Sequence, residues 1–162
     1  MFADFNGLPL HPLVIHVVVV FAPLATMLAL AHLVPAWRPV LRWLVAGTAS
    51  IAAVSAFVAK ESGETLKDVI EDQLESGPAG RLVEEHEELG EKLFIALLVF
   101  AALALVVLAV RALHEGVLGH IAAIVLVLAG IVVGVLTFQT GEKGSDAVWN
   151  PTGEVDYSGE SD

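Results

Sequence analysis

The sequence predicts an all-α fold, a four-helix up-down transmembrane bundle with an extramembrane amphipathic helical segment between the second and third helices. Three observations predict it. Hydrophobic residues make up 56% of the 162 residues, against roughly 45–50% in ordinary soluble domains, and the mean hydropathy is +0.77. The apolar residues gather into four runs, 13–34, 40–59, 93–110 and 117–138, each near or above the ~18–20 residues that carry a helix across a hydrocarbon core. Two of the three connections between runs are short, which makes antiparallel neighbours. Open strands would leave unpaired backbone groups in lipid, so helices are the only elements that can fill these runs.

The elements follow in order. The first run has no Lys or Arg ahead of it between Met1 and Leu10, so it lacks the basic start of a cleaved signal peptide and is expected to stay as a helix. Pro23 falls inside it and removes one backbone donor, which predicts a kink. Pro35 and Pro39 bracket the turn into the second run. Residues 60–92 carry four basic and eleven acidic side chains. Within them Leu66, Val69, Ile70 and Leu74 recur at helical spacing, which predicts a surface amphipathic helix over 64–75. The run Ser76-Gly77-Pro78-Ala79-Gly80 ends it. Leu82, His86, Leu89 and Leu93 then continue one stripe into the third run, so that helix is expected to begin near Arg81 and project from the bilayer. Residues 111–116 turn into the fourth run, and 139–162 form a polar tail.

Small residues mark where helices meet closely: Gly130 and Gly134 on the fourth helix, and Ala46, Ser50 and Ala53 with nearby Gly47 on the second. No internal repeat stands out. The whole chain is expected to form one integral membrane domain.

Arg38, Arg42 and Arg111 sit in the two short turns with a single acid, Glu115. Basic density in short loops places those turns in the cytoplasm, with both termini and the 60–92 segment outside. The net charge of −11 argues against nucleic acid and against a polybasic lipid surface. There is no cysteine, which excludes disulfides, thiolate metal sites and iron–sulfur ligation. No nucleophile–base pair, phosphate loop or nucleotide fingerprint is present, so a redox carrier is favoured over a hydrolase or transferase.

The six histidines are the side chains suited to metal, haem or proton chemistry. His11, His16 and His86 fall at the outer end of the spans, and His32, His114 and His120 at the inner end. His86 shares the inward stripe of Leu82, Leu89 and Leu93. His11 and His16 are five residues apart, so one helix cannot aim both at the same point unless Pro12 bends its start. Gln139, Thr140 and Glu142 reach the same depth. The outer set His11, His16 and His86 is the candidate for haem b or a metal ion held by neutral imidazoles. His32 and His120 form a weaker inner candidate, as a cross-helix pair. The plain alternative is that these histidines cap helix ends at the interface. His16, inside an apolar run, weighs furthest toward function. The acidic stretch Glu84, Glu85, Glu87, Glu88 and Glu91 reads as a solvated face, and Trp37, Trp43 and Trp149 as interfacial anchors.

The segment Leu10-His11-Pro12-Leu13-Val14-Ile15-His16 resembles the opening of the bacterial and archaeal membrane family called domain of unknown function 2231. Val17 and Val18 stand where that family usually has Phe-Pro. Glu84-Glu85-His86-Glu87-Glu88-Leu89-Gly90 and Thr140-Gly141-Glu142-Lys143-Gly144 agree too, with Ser145 replacing a second glycine. The resemblance covers nearly the whole chain. It implies a place beside Rieske-type and cytochrome-type redox modules, to which similar members are joined. His11, His16, His86, Gly141 and Gly144 are its matching positions. The partners expected are therefore the lipid bilayer, a respiratory or other redox membrane protein, and a second copy in a homo-oligomer. The opposing expectation is a non-catalytic accessory or assembly subunit that holds no cofactor.

Overall fold

A computed structural model describes residues 4–155, apart from the side chains at 73, 75 and 76. After a two-residue hairpin, Asp4–Phe5 with Leu8–Pro9, four helices follow: α1 Leu10–Ala31, α2 Arg38–Ser76, α3 Gly80–Ala109 and α4 Gly116–Trp149. Short 3₁₀ turns, Pro35–Trp37 and Arg111–Leu113, join the helices within each pair. All four helices are long and apolar enough to cross a membrane.

Hydropathy located the spans but not the helix ends. The segment expected as a separate amphipathic helix over 64–75 is the continuation of α2, which does not stop at 59. Its residues are mostly good helix formers, and Lys60 pairs with Glu64 one turn on. Likewise α4 passes the end of its apolar run at 138 and takes in part of the expected polar tail, as far as Trp149. α3 begins at Gly80, one residue before the expected start. α1 runs through Pro23 unbroken.

Contacts set the arrangement. His11, near the start of α1, reaches Ala59 just past the middle of α2, while Arg38 at the start of α2 donates to His32 just past the end of α1. These two helices are therefore antiparallel, and so are α3 and α4, where His86 reaches Thr140. Each of α1 and α3 packs on both α2 and α4, which leaves α1 and α3 on one diagonal of a square.

The core is built mainly from small side chains. Ala22, Ala25 and Ala29 of α1 and Ala46, Ala49, Ala52, Ala53 and Ala56 of α2 are buried. Larger groups come from the second pair, with Leu97, Phe100 and Leu126 almost wholly enclosed. Val20, Met27, Ile95, Leu105, Ile124 and Leu128 face outward. Close backbone approach inside with bulky apolar groups outside is the pattern of a bundle in lipid, where hydrophobicity alone does not draw helices together. Gly130 is one close approach: a Cβ there would lie 3.2 Å from Thr26, whose hydroxyl donates to the Gly130 carbonyl at 3.0 Å. Gly134 and Gly47 have nothing within 4 Å of such a Cβ, so neither position requires a glycine for a close approach within the chain.

The burial register repeats, contrary to the expectation of no internal repeat. Buried Val18, Ala22, Ala25 and Ala29 of α1, followed by His32, correspond to buried Leu93, Leu97, Phe100, Ala104 and Val107 of α3, each 75 residues later. Buried Val45, Ala49, Ala52 and Ala59 of α2 correspond to Leu126, Gly130, Val133 and Thr140 of α4, each 81 residues later. The two helical hairpins thus share one plan and are related by an approximate two-fold axis along the bundle.

Candidate functional site

The same register brings His11 and His86 together. Their rings meet at a centroid separation of 6.0 Å with planes at 90°, across the diagonal between α1 and α3. Each ring is seated by the partner helix of its own hairpin. His11 Nδ1 donates to the Ala59 carbonyl at 2.7 Å, and its ring lies over Gly63, where a Cβ would come within 3.0 Å of it. His86 Nδ1 donates to the Thr140 carbonyl at 2.8 Å, and its ring lies over Gly144, where a Cβ would come within 2.9 Å. In both cases the glycine follows the accepting carbonyl by four residues, one turn along the same helix face. The two seats share a sequence echo, Phe57-x-Ala59-x-Glu61-x-Gly63 and Phe138-x-Thr140-x-Glu142-x-Gly144. That echo, too short to stand out alone, is the signal that could have found the repeat.

A carbonyl only accepts, so each Nδ1 carries a proton, and in the neutral form of either ring the lone pair lies on Nε2. A ligating histidine is commonly oriented in this way, with the far nitrogen held by a backbone oxygen. Ala59 also accepts from the buried Ser62 hydroxyl at 3.1 Å, which fixes that carbonyl further.

His16 does not join the pair. It is exposed, and its Nδ1 bonds the Pro12 carbonyl of its own helix. The five-residue offset from His11 turns its ring away from the axis. Gln139 and Glu142 are also exposed, and Thr140 takes part through its carbonyl instead.

The extramembrane ends of three helices are tied around this site. Lys67 of α2 pairs with Glu87 of α3, and Lys143 of α4 pairs with Glu85 of α3 at 2.8 Å. The Lys143 hydrogen bond, with Arg81 beside it, holds the Glu85 carboxyl below its usual range. Part of the acidic stretch therefore serves as a docking face, not only as a solvated one.

At the turn end the expected His32–His120 pair does not form. His120 is exposed and bonds Gly116 of its own helix at 2.8 Å. His32 is buried, with a relative exposure of 1%, and its neighbours are Arg38, Arg42 and His114. Arg42 Nη1 donates to His114 Nδ1 at 2.7 Å, while His114 Nε2 donates to the Val107 carbonyl at 3.0 Å. His114, outside the expected pair, is thus the histidine that joins this cluster, and two arginines one helical turn apart are the sequence signal for it.

Fold and site together define a four-helix integral membrane protein with a histidine pair on its internal two-fold axis. The chain belongs to the family described as "Predicted membrane protein (DUF2231)", whose model matches residues 7–156. Neither a curated protein nor a solved structure matches the chain.

Proposed function

We propose that this protein holds a transition-metal centre, a bare ion or the iron of haem b, between His11 and His86, and works in or beside membrane electron transfer. One observation carries the reading: two imidazoles from different hairpins meet on the axis with both Nδ1 protons spent on backbone carbonyls. Two lone pairs are thereby left to a common ligand. Among the described residues no third His, Cys, Asp or Glu joins the group. Two histidines without a third donor suit haem iron, since the porphyrin supplies four nitrogens; a bare ion would complete its shell with water. Neither the hollow lined by Lys67, Glu71 and Glu84 nor the one lined by Leu82, Asp146 and Asn150 reaches the two histidines, so neither would house a porphyrin held by them. The place in electron transfer rests on the resemblance to members joined to Rieske-type and cytochrome-type modules. In this reading the turns face the cytoplasm and the histidine pair faces the outside, following the arginines of the turns.

The test is the absorption spectrum and elemental analysis of full-length protein, purified in detergent from cells supplied with haem and transition metals. A Soret band, or one bound transition ion per chain, is expected. His11→Ala and His86→Ala each remove it, and His16→Ala keeps it. A colourless, metal-free wild type overturns the proposal.

The fit of both rings over Gly63 and Gly144 favours a second reading, in which the pair is a clasp between hairpins of an accessory subunit. Wild-type protein would then hold no centre, and His86→Ala would lower thermal stability while a partner complex still co-purified with it.

A further inference from the structure

The turn end of the bundle breaks the two-fold plan. The second hairpin's counterparts of His32, Arg38 and Arg42 are Val107, Gly119 and Ala123. Arg38 is buried, with a relative exposure of 3%. Its guanidinium lies over Gly119, where a Cβ would meet Nη1 at 3.0 Å. Arg38 Nε donates to the His32 carbonyl and Nη2 to the Leu33 carbonyl. Half-buried Arg42 stands one turn further along α2. Both ring nitrogens of His32 and Nε of Arg42 are fully enclosed and have no hydrogen-bond partner.

Two guanidiniums are thus drawn into the bundle with no opposing charge. The side chains acting electrostatically on His32 are Arg38, Arg42 and His114, none of them acidic. Among the described residues none of the ion pairs involves Arg38, Arg42 or Arg111. Glu115, the one acid in either turn, is exposed. An enclosed, unpaired charge is among the most costly arrangements a fold can hold. The helix adds to the imbalance: Arg38 and Arg42 occupy the first turns of α2, which has no acidic residue there and no side-chain cap. That terminus already carries positive partial charge, so cations are disfavoured at it and an anion is favoured. Exposed Trp37 and Trp43 flank the same turns, which sets the cluster at headgroup depth.

We propose that Arg38, Arg42 and His32 form an anion site at the turn end of the bundle that takes a phosphate group, from an anionic lipid headgroup or from free phosphate. Arginine suits this task, because its planar fork bonds two phosphate oxygens at once. The unpartnered His32 and Arg42 nitrogens are the donors left for it. This site is separate from the His11–His86 pair and stands or falls independently of it.

The test uses full-length protein in detergent. Native mass spectrometry compares retention of phosphatidylglycerol and phosphatidylcholine with matched acyl chains. Thermal unfolding is then followed in sodium phosphate and in sodium chloride at equal ionic strength. Retention of phosphatidylglycerol about tenfold above phosphatidylcholine is expected, because the choline cation of the second cancels the phosphate charge beside Arg38 and Arg42 while the first stays anionic. Arg42→Gln brings that ratio close to one, Arg42→Lys keeps part of it, and Arg111→Gln, on the exposed side of the other turn, leaves it unchanged. Stabilisation by phosphate over chloride, lost in Arg42→Gln and without lipid preference, also supports the site and names the free ion as its ligand. Equal retention of the two lipids together with equal stability in the two salts overturns the proposal. So does an Arg42→Gln protein that behaves as wild type in both measurements, a variant chosen because Arg38→Gln would also remove bonds that hold the turn.

Discussion

The first hairpin, α1–α2, and the second, α3–α4, bury corresponding positions but fill them with different side chains. At the histidine end they agree: each supplies an imidazole, a carbonyl to hold it and a glycine to seat it. In the middle they are complementary, with Ala22 and Ala25 of α1 opposite in size to Leu97 and Phe100 of α3. At the turn end they part, since only the first hairpin carries a buried histidine and two arginines. A site on the axis needs both hairpins alike, and a site off the axis needs only one. The equality at one end and the inequality at the other are what each proposed ligand would require.

The largest expected effect tests the complementary middle. Phe100 is wholly enclosed, and its counterpart is Ala25. Phe100→Ala should cost about 3–5 kcal/mol, because the neighbouring alanines cannot collapse into the space. Unfolding in mixed micelles would measure it. If Ala25→Phe combined with Phe100→Ala recovered most of the loss, the hairpins would be interchangeable in the core and the claimed complementarity of size would fail.

A smaller effect tests the agreement at the histidine end. Gly144→Ala and Gly63→Ala should each displace a ring and break its carbonyl bond, at about 1–3 kcal/mol apiece. Loss of any bound centre in both variants is expected as well. A strong effect at one glycine with none at the other would mean that only one histidine is seated as described.

Much of this was legible in the sequence, and the parts that were not have physical causes. The four spans follow from hydropathy because lipid tolerates nothing else over that length. Helix ends were misplaced because a helix continues wherever propensity and packing support it, and α2 and α4 both outlast their apolar runs. His86 was found through its stripe with Leu82, Leu89 and Leu93, a local spacing. His16 misled because depth does not say which way a ring turns. His32 was undervalued because its surroundings come from the next helix across a turn, and contacts between helices leave no mark in the spacing of one. The repeat was hidden because it survives as a pattern of burial more than of identity, with Val18 matched by Leu93 and Ala25 by Phe100.

The smallest effect concerns an ion pair that only the second hairpin possesses. Lys143 of α4 bonds Glu85 of α3, whereas among the described residues no ion pair links α1 to α2, because α1 begins too late to reach the extramembrane end. The Lys143 hydrogen bond, followed by the charges of Lys143 and Arg81, depresses the folded Glu85 value, while the same bond raises Lys143. A depressed carboxyl contributes fully above its unfolded value, about 4.3, and loses that contribution as pH falls through the lower folded value. A raised lysine contributes fully below about 10.4 and loses its share as pH rises through the higher folded value. Docking of the α4 extension on α3 should therefore hold across neutral pH and loosen in acid and in strong base. Both side chains are partly exposed, so the change is modest and screened by salt. Hydrogen exchange over 141–149 reads it directly: acid or 1 M salt should speed exchange in wild type, and Lys143→Gln should begin fast at neutral pH and respond to neither. An identical acid profile in the variant would show that the extension is held by its contact with His86 at Gly144, and that the hairpins differ less at this end than their charges suggest.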